Sequence, residues 1–348
     1  MIDAVPESPR AVSEGARPAR WPVVFKVAVA IAVCAWLASR GQLDVSAVLR
    51  VDGASLAFGL ALLGVQNVGN ALRLRWLLRQ HGIELGLGRS VALTWIGFAF
   101  NQVLPGGAGG DALRAYYTAR DNPRSAADAV AAAIVDKAVG LAGLLLLAIV
   151  PWILVELYPG GMPERVLGLV RTVSASMTLG FVLIAVGAFV VTSRRAAASV
   201  ARLQLKSRLS PPLQRVATLI ESSLSVHRGR RLRLLAYTAF SAGLHLLSCV
   251  VLIVIGRALG NEESIAVHLS LWSVTFLTTA IPISPGGIGV AEAAAAKLWS
   301  LSGVTSGATT YLVLRLLCLV HAGVGLVLYV FLRRRQPPST PSARRDPL

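Results

Sequence analysis

Two glycine-rich breaks at matched positions in apolar runs constrain the fold of this chain more than any other feature. The first break covers residues 105–111 (PGGAGGD) and the second covers residues 285–292 (PGGIGVAE). Both follow the pattern Pro-Gly-Gly-x-Gly, and a carboxylate, Asp111 or Glu292, comes a few residues later. Proline and glycine stop a helix and free backbone groups that hydrocarbon cannot satisfy. Each break must therefore lie against protein or line a polar cavity.

The apolar runs around these breaks place the chain in a membrane class. Hydrophobic residues make up 55% of the 348 residues and charged residues only 15%. Several runs reach the ~20 residues that a helix needs to cross a bilayer. The formal net charge is +17, which in a soluble protein would suggest nucleic acid. Here the cations cluster beside apolar runs, which favours cytoplasmic loops and anionic lipid headgroups as the explanation, with no nucleic-acid partner.

The order of runs and charges predicts an all-α, polytopic protein of the cell membrane with both termini in the cytoplasm. Two re-entrant hairpins, each broken by glycine, are expected at residues 90–122 and 265–301, and the units 54–154 and 234–331 then form inverted repeats. Six full spans are expected at residues 23–38, 54–76, 126–154, 166–191, 234–255 and 306–331. If residues 90–104 and 265–281 cross completely, the count becomes eight. The run at 23–38 also has the form of a signal peptide, but an uncleaved span fits the rest of the chain better.

The remaining segments are polar or basic. Residues 1–20 and 336–348 are predicted to be disordered cytoplasmic tails around one transmembrane domain at 21–335. Residues 194–233 hold ten Lys or Arg and one acid, Glu221, with apolar positions at near-helical spacing. This pattern predicts amphipathic helices bound to anionic lipid of the inner leaflet. A solvated loop that only fixes topology remains the alternative.

Charged residues inside the apolar runs are the candidates for function. Lys137 and Arg315 lie near the middle of their spans, where a cation costs ~2.5–3.5 kcal/mol on insertion scales. They either receive an anionic ligand or form structural ion pairs with Asp111 and Glu292. Asp136 adjoins Lys137, but adjacent residues point ~100° apart on a helix and cannot share one partner well.

The breaks themselves predict an anion site. If a helix restarts near Asp111 or Val290, its free N–H groups and positive dipole end face the break and suit phosphate or carboxylate. Close helix packing is the alternative use of the glycines. Asn101 is placed to satisfy freed backbone, and Arg114 either meets the ligand or lies at the inner surface. The candidate substrate-binding residues are Asn101, Pro105, Gly106, Gly107, Gly109, Gly110, Asp111, Arg114, Lys137, Pro285, Gly286, Gly287, Gly289, Glu292 and Arg315.

No catalytic constellation accompanies these residues. His245 and His321 lie in apolar runs without other metal ligands at suitable spacing, so both are expected to be packing residues. There is no Ser/His/Asp set, phosphate-binding loop or dinucleotide motif in a suitable context. We therefore expect no catalytic residues, no cofactor, no metal and no enzymatic activity.

The two motifs resemble those of the lysylphosphatidylglycerol synthase transmembrane-region family, also called the flippase-like domain family. Arg75-Trp76 after the second span is also similar, and the resemblance covers roughly residues 20–335. The motifs are Asn101-Gln102-x-Leu104-Pro105-Gly106-Gly107-x-Gly109-Gly110-Asp111-x-x-Arg114 and Pro285-Gly286-Gly287-x-Gly289-x-x-Glu292.

The resemblance implies an integral membrane protein that handles lipids. In bifunctional members such a domain moves aminoacylated phospholipid across the bilayer, and a soluble synthase domain, which is not found in these residues, attaches the amino acid. Many relatives carry a Glu-Arg-like pair where this chain has Asp136-Lys137, and lysine lacks the bidentate fork of arginine.

Together these patterns predict a flippase-like transporter of an anionic or phosphate-bearing lipid headgroup, with its two hairpins meeting in a central cavity. One alternative is a membrane enzyme or accessory subunit that transfers a sugar or amino-acid group to a lipid carrier. Another is a scaffold anchored through the basic segment.

Overall fold

The computed structural model describes residues 21–44, 46–104, 109–158, 163–193, 210–281 and 283–334. The predicted tails at 1–20 and 336–348 lie outside this description. So do residues 105–108 of the first break and residues 194–209 of the basic segment.

The described residues fold into α-helices joined by short turns, which confirms the predicted all-α class. Two short 3₁₀ helices, Ser46–Arg50 and Pro123–Ser125, lie between them. The α-helices are α1 (Trp21–Ser39), α2 (Gly53–Gln80), α3 (Leu87–Val103), α4 (Gly109–Asp121), α5 (Ala126–Leu147), α6 (Ile149–Leu157), α7 (Glu164–Thr192), α8 (Pro211–Ser225), α9 (Arg231–Ala258), α10 (Ile265–Thr278), α11 (Val290–Leu301) and α12 (Gly307–Arg334).

Five helical segments are long and apolar enough to cross a membrane. They correspond to five of the six predicted spans. The sixth predicted span lies in α1, whose 19 residues extend over about 28 Å, close to the ~30 Å hydrocarbon core. The chain is therefore a multi-pass membrane protein, and its number of complete spans stays a prediction. The five segments are α2, Pro123–Leu157, α7, α9 and α12.

The first break joins two antiparallel limbs, α3 and α4. Near the turn, the Gly110 N–H donates to the Asn101 side-chain oxygen at 2.8 Å. At the other end, Arg89 Nε donates to Asp121 at 2.8 Å. The chain thus enters and leaves at the same end, as the predicted hairpin requires. Neither limb exceeds 17 residues, or about 25 Å of helix.

The second break has the same form in α10 and α11. Close to the turn, Gly287 packs so tightly on Thr279 that a Cβ added to this glycine would lie 2.8 Å from the Thr279 Cα. At the open end, the rings of His268 and Trp299 are 6.2 Å apart. Both breaks therefore occur where the sequence predicts them, and the paired limbs favour two hairpins over eight full spans.

Helix packing repeats between the two halves of the chain. In the first half, the hairpin α3–α4 lies between α2 and α5, and α4 packs on α5. In the second half, the hairpin α10–α11 lies between α9 and α12, and α11 packs on α12. The two units join through α2 against α9 and α3 against α12. This arrangement supports the predicted internal repeat.

Glycines allow the two hairpins to touch each other. Gly286 has a φ of +54°, and a Cβ there would overlap the carbonyl oxygen of Gln102 at the end of α3. Its N–H points to the Leu104 carbonyl oxygen at 3.5 Å. The hairpins thus meet as expected, but at this point they meet in main-chain contact rather than across an open cavity.

Gly110→Ala tests the close packing of the first hairpin. A Cβ at Gly110 would overlap the Gly97 carbonyl oxygen, so we expect the free energy of unfolding to fall by ~1–3 kcal/mol. Thermal unfolding of the purified protein in detergent measures this change. Gly88→Ala is the control because a Cβ at this position of α3 meets nothing within 4 Å. Equal melting temperatures for the two variants would contradict the packing argument.

Two histidines form a buried contact where α2 ends and α9 is about to begin. The rings of His81 and His227 lie 5.4 Å apart, edge to face. All four ring nitrogens are buried and have no hydrogen-bond partner among the described residues. Burial, with help from His81 and Arg230, lowers the pKa of His227 to about 4. Burial also lowers the pKa of His81, against the attraction of Asp128.

This contact predicts a loss of stability in mild acid. His227 has a pKa of about 4 in the folded chain and the ordinary histidine pKa of ~6.5 in the unfolded chain. Between these two pH values, the unfolded chain binds a proton at His227 and the folded chain does not. The free energy of unfolding should therefore fall as the pH is lowered through this range. His227→Phe should show a smaller fall in melting temperature between pH 7 and pH 5 than the wild type. Identical falls would mean that the histidine contact does not set the acid sensitivity.

Candidate functional site

The carboxylate of Asp136 lies at the centre of a charged cluster behind the first break. Its side chain is 1% exposed. Arg73 Nε of α2 donates to Oδ1 at 2.8 Å, and Arg114 Nη2 of α4 donates to Oδ2 at 2.7 Å. A buried ion pair is tolerated only when both charges keep such partners. Asp136 therefore fastens α2 and α4 to α5.

Arg73 is the member of this cluster that the sequence interpretation missed. Its place at the end of an apolar run, followed by Arg75 and Arg79, is typical of a cytoplasmic loop, but Arg73 is buried. Its Nη1 also donates to Ser241 of α9 at 2.8 Å. The sequence signal that could have indicated its burial is the apolar pattern that continues after it. Leu74, Leu77 and Leu78 follow Arg73, and all three are buried. The interior of the bundle thus continues past Arg73.

Asp111 forms the more open side of the same cluster. It lies in the first turn of α4, with its side chain 21% exposed. Oδ2 accepts a hydrogen bond from Lys137 Nζ at 2.8 Å, and Oδ1 accepts one from Arg114 Nη2 at 3.3 Å. The Lys137 side chain is 60% exposed. Asp136 and Lys137 face different partners, as expected, yet Arg114 and Asp111 connect them into one network.

The second break carries a compact version of this arrangement. Glu292, in the first turn of α11, accepts the Gly289 N–H at 2.7 Å and also binds Arg315 Nε. Arg315 Nη1 and Nη2 donate to the carbonyl oxygens of Gly286 and Gly287 at 3.0 and 3.4 Å. Both charged side chains are buried. Arg315 therefore satisfies the carbonyl groups that the break frees.

The two breaks share a pattern and differ in exposure. In each, a carboxylate in the first turn of the second limb binds a cation of the following long helix. The cation is 60% exposed at Lys137 but 7% exposed at Arg315. Only the first break thus presents a charged group at the surface of the bundle.

The predicted site residues fall into two groups that touch through Gly286 and Leu104. Gly109 begins α4 and packs against Leu104, and Pro285 lies in the turn before α11. Pro105, Gly106 and Gly107 lie outside the described residues. The first group comprises Asn101, Gly109, Gly110, Asp111, Arg114 and Lys137, and the second comprises Pro285, Gly286, Gly287, Gly289, Glu292 and Arg315.

Protein groups already occupy part of the predicted anion cradle. Asn101 accepts the Gly110 N–H, which confirms that it satisfies freed backbone, and Glu292 accepts the Gly289 N–H. An incoming anion must therefore displace an internal acceptor or bind at the charged side chains beside the break.

The two spanning histidines take packing positions. His245 Nε2 lies 3.1 Å from the Gly140 carbonyl oxygen, and His321 Nε2 lies 3.0 Å from that of Leu60. In the part of the chain that the structure describes, no group of three or more His, Cys, Asp or Glu residues could hold a metal ion.

Residues 23–325 match the family model described as lysylphosphatidylglycerol synthase TM region. The chain belongs to this family. A comparison with curated proteins found no match. The matched range of the lysylphosphatidylglycerol synthase TM region includes both hairpins, Arg73, Asp136, Lys137 and Arg315. The match supports a membrane function that concerns lipids.

Asp136→Asn tests the centre of the cluster in this lysylphosphatidylglycerol synthase TM region. The substitution leaves Arg73 and Arg114 without their buried counter-charge, which should cost ~3–5 kcal/mol of stability. Asp111→Asn should cost ~1 kcal/mol or less because its Lys137 partner is mostly exposed. Thermal unfolding in one detergent compares the two. A larger loss for Asp111→Asn would show that the cluster is not organised around Asp136.

Proposed function

We propose that this protein transports lipid and moves an anionic, phosphate-bearing headgroup across the cell membrane, with both of its termini in the cytoplasm. The observation that carries the proposal is the unbalanced positive charge of the first-break cluster. Among the described residues, three cations, Arg73, Arg114 and Lys137, face two carboxylates, Asp111 and Asp136. Excess positive charge inside a membrane is costly, and it attracts the anionic phosphodiester of a lipid headgroup.

The position of Lys137 indicates where the headgroup would bind. Val130, Lys137 and Leu141 are exposed on α5, and their spacing of seven and four residues places them on one face. Val130 and Leu141 are each 39% exposed. This face offers apolar surface to acyl chains above and below a single cation. The headgroup would meet Lys137 and Arg114 while its tails stay in lipid.

The broken hairpins support the same proposal. Irregular backbone at membrane depth is tolerated where it is buried in protein or lines a polar path, and transporters place their sites at such broken helices. The second break is closed by Arg315 and Glu292. The first break has the exposed cation. We therefore place headgroup binding at the first break and a structural role at the second.

A membrane enzyme that transfers a sugar or amino-acid group to a lipid carrier is the alternative. Such an enzyme would need a donor site and an accessible carboxylate. Asp136 and Glu292 are buried and bound to arginine, and the partly exposed Asp111 is bound to Lys137 and Arg114. We favour transport for this reason. A donor-dependent change in the mass of a lipid incubated with the purified protein would support the enzyme instead.

We also propose that α8 lies on the anionic inner leaflet. Leu219 and Ile220 are 46% and 41% exposed on this helix, and the basic stretch 228–233 follows it. Exposed apolar residues beside cations are typical of interfacial helices. If this segment were only a solvated loop, these two apolar side chains would not be needed. If the protein were only a scaffold, its function would tolerate loss of the charge at Lys137.

Lys137→Gln tests the transport proposal. In proteoliposomes, we expect the rate of translocation of a fluorescent phosphatidylglycerol to fall at least about tenfold, the equivalent of ~1.4 kcal/mol. Loss of the probe's fluorescence after an external quencher is added measures this rate. Arg171→Gln is the control, since it removes a cation from an exposed pair with Glu156. Wild-type rates in Lys137→Gln would refute the proposal.

A further inference from the structure

The two carboxylates of the first-break cluster have different surroundings. Asp136 is 1% exposed and holds two arginines at 2.8 and 2.7 Å. Asp111 is 21% exposed, and its shortest contact is with the largely exposed Lys137. Its second contact, with Arg114, is longer at 3.3 Å. Asp136 is thus fixed within the bundle, whereas Asp111 lies at the edge where an outside anion would arrive.

Arg114 also has a donor that the cluster leaves unused. Its side chain is 7% exposed, yet its Nε has no hydrogen-bond partner among the described residues. Leaving a buried donor unpaired costs ~1–3 kcal/mol. A phosphate group offers several acceptor oxygens and can bind two guanidinium nitrogens at once, in addition to a neighbouring lysine. The cluster is therefore better completed by phosphate than by the Asp111 carboxylate alone.

We propose that Asp111 is an internal substitute for the lipid phosphate. Its carboxylate occupies the position on Lys137 and Arg114 that the phosphate takes, and the arriving headgroup displaces it. This inference rests on the proposed function and adds how the same site releases its ligand. Once the phosphate leaves, Asp111 returns to the two cations, so neither state leaves them without an anion.

The location of Asp111 makes the exchange a small movement. It lies two residues after the start of α4, next to Gly109 and Gly110. A change of side-chain rotamer separates its carboxylate from Lys137 and from Asn101 Nδ2, which donates to it at 3.5 Å, without breaking the Asn101–Gly110 hydrogen bond. The bond between Arg114 and Asp136 also remains in place. The cations thus keep their geometry while one anion replaces another.

The second break does not allow the same exchange. Glu292 is buried and binds both Arg315 and the Gly289 N–H. Each nitrogen of the Arg315 guanidinium has an acceptor on Glu292, Gly286 or Gly287. Displacement of Glu292 would therefore expose both an arginine and a helix terminus. We assign the exchangeable carboxylate to the first break only.

Binding of dioctanoyl phosphatidylglycerol tests this inference. The full chain is kept in a non-ionic detergent that contains no phosphate, and calorimetric titration measures the dissociation constant. We expect Asp111→Asn to bind this probe about tenfold more tightly than the wild type, because the internal competitor is gone while Lys137 and Arg114 remain. Asp121→Asn removes a carboxylate from the far end of α4 and should change binding less than twofold.

Two further measurements separate competition from misfolding. Asp111→Glu keeps the charge and should bind like the wild type, and all variants should melt within a few degrees of it. In proteoliposomes, Asp111→Asn should lower both the KM and the maximal rate for a fluorescent phosphatidylglycerol, since release becomes slow.

Unchanged or weaker binding by Asp111→Asn would overturn the inference. Binding of the probe by Asp111→Glu that is as tight as binding by Asp111→Asn would also overturn it. The transport proposal itself fails on a different result, which is wild-type translocation by Lys137→Gln.

Discussion

The structure depends on one constraint: backbone groups freed by a break inside a membrane bundle must find partners within the protein. Water is absent from hydrocarbon, and each unpaired group costs several kcal/mol. Asn101 accepts the N–H of Gly110, Glu292 accepts that of Gly289, and Arg315 donates to the carbonyl groups of Gly286 and Gly287. The main role of these polar side chains is thus to form the hydrogen bonds with the backbone that water would form outside a membrane.

The two halves of the chain satisfy this constraint with the same pattern, but the balance of charge at the two breaks differs. At the second break, one arginine and one glutamate satisfy each other and the main chain, so the charges cancel. At the first break, Arg73 and Arg114 share Asp136, and Lys137 and Arg114 share Asp111. Among the described residues this cluster holds three cations and two carboxylates, and Lys137 is its exposed cation. The repeated motif therefore supplies one break whose charged side chains are buried and one break with an exposed cation.

The sequence predicted the helix breaks, the hairpins and the contacts of Asp111 and Glu292 with cations, because proline, glycine and charge have strong local or energetic preferences in a membrane. It did not predict the role of Arg73. A cation near the end of an apolar run satisfies the positive-inside pattern wherever its side chain points. Its burial depends on Asp136 and Ser241, which lie 63 and 168 residues away. Similarly, the matched positions of Lys137 and Arg315 gave no sign of their unequal exposure.

The sequence by itself determined that the chain is a helical membrane protein with two broken hairpins, since hydropathy and glycine act on each segment independently of the others. Only the tertiary structure decided which break is closed and which is open. That outcome depends on how the two hairpins pack, with Gly286 against the end of α3 and Asp136 between helices α2 and α4. The packing of the helices determines which charged side chains pair with each other, and the sequence of a single segment does not determine this pairing.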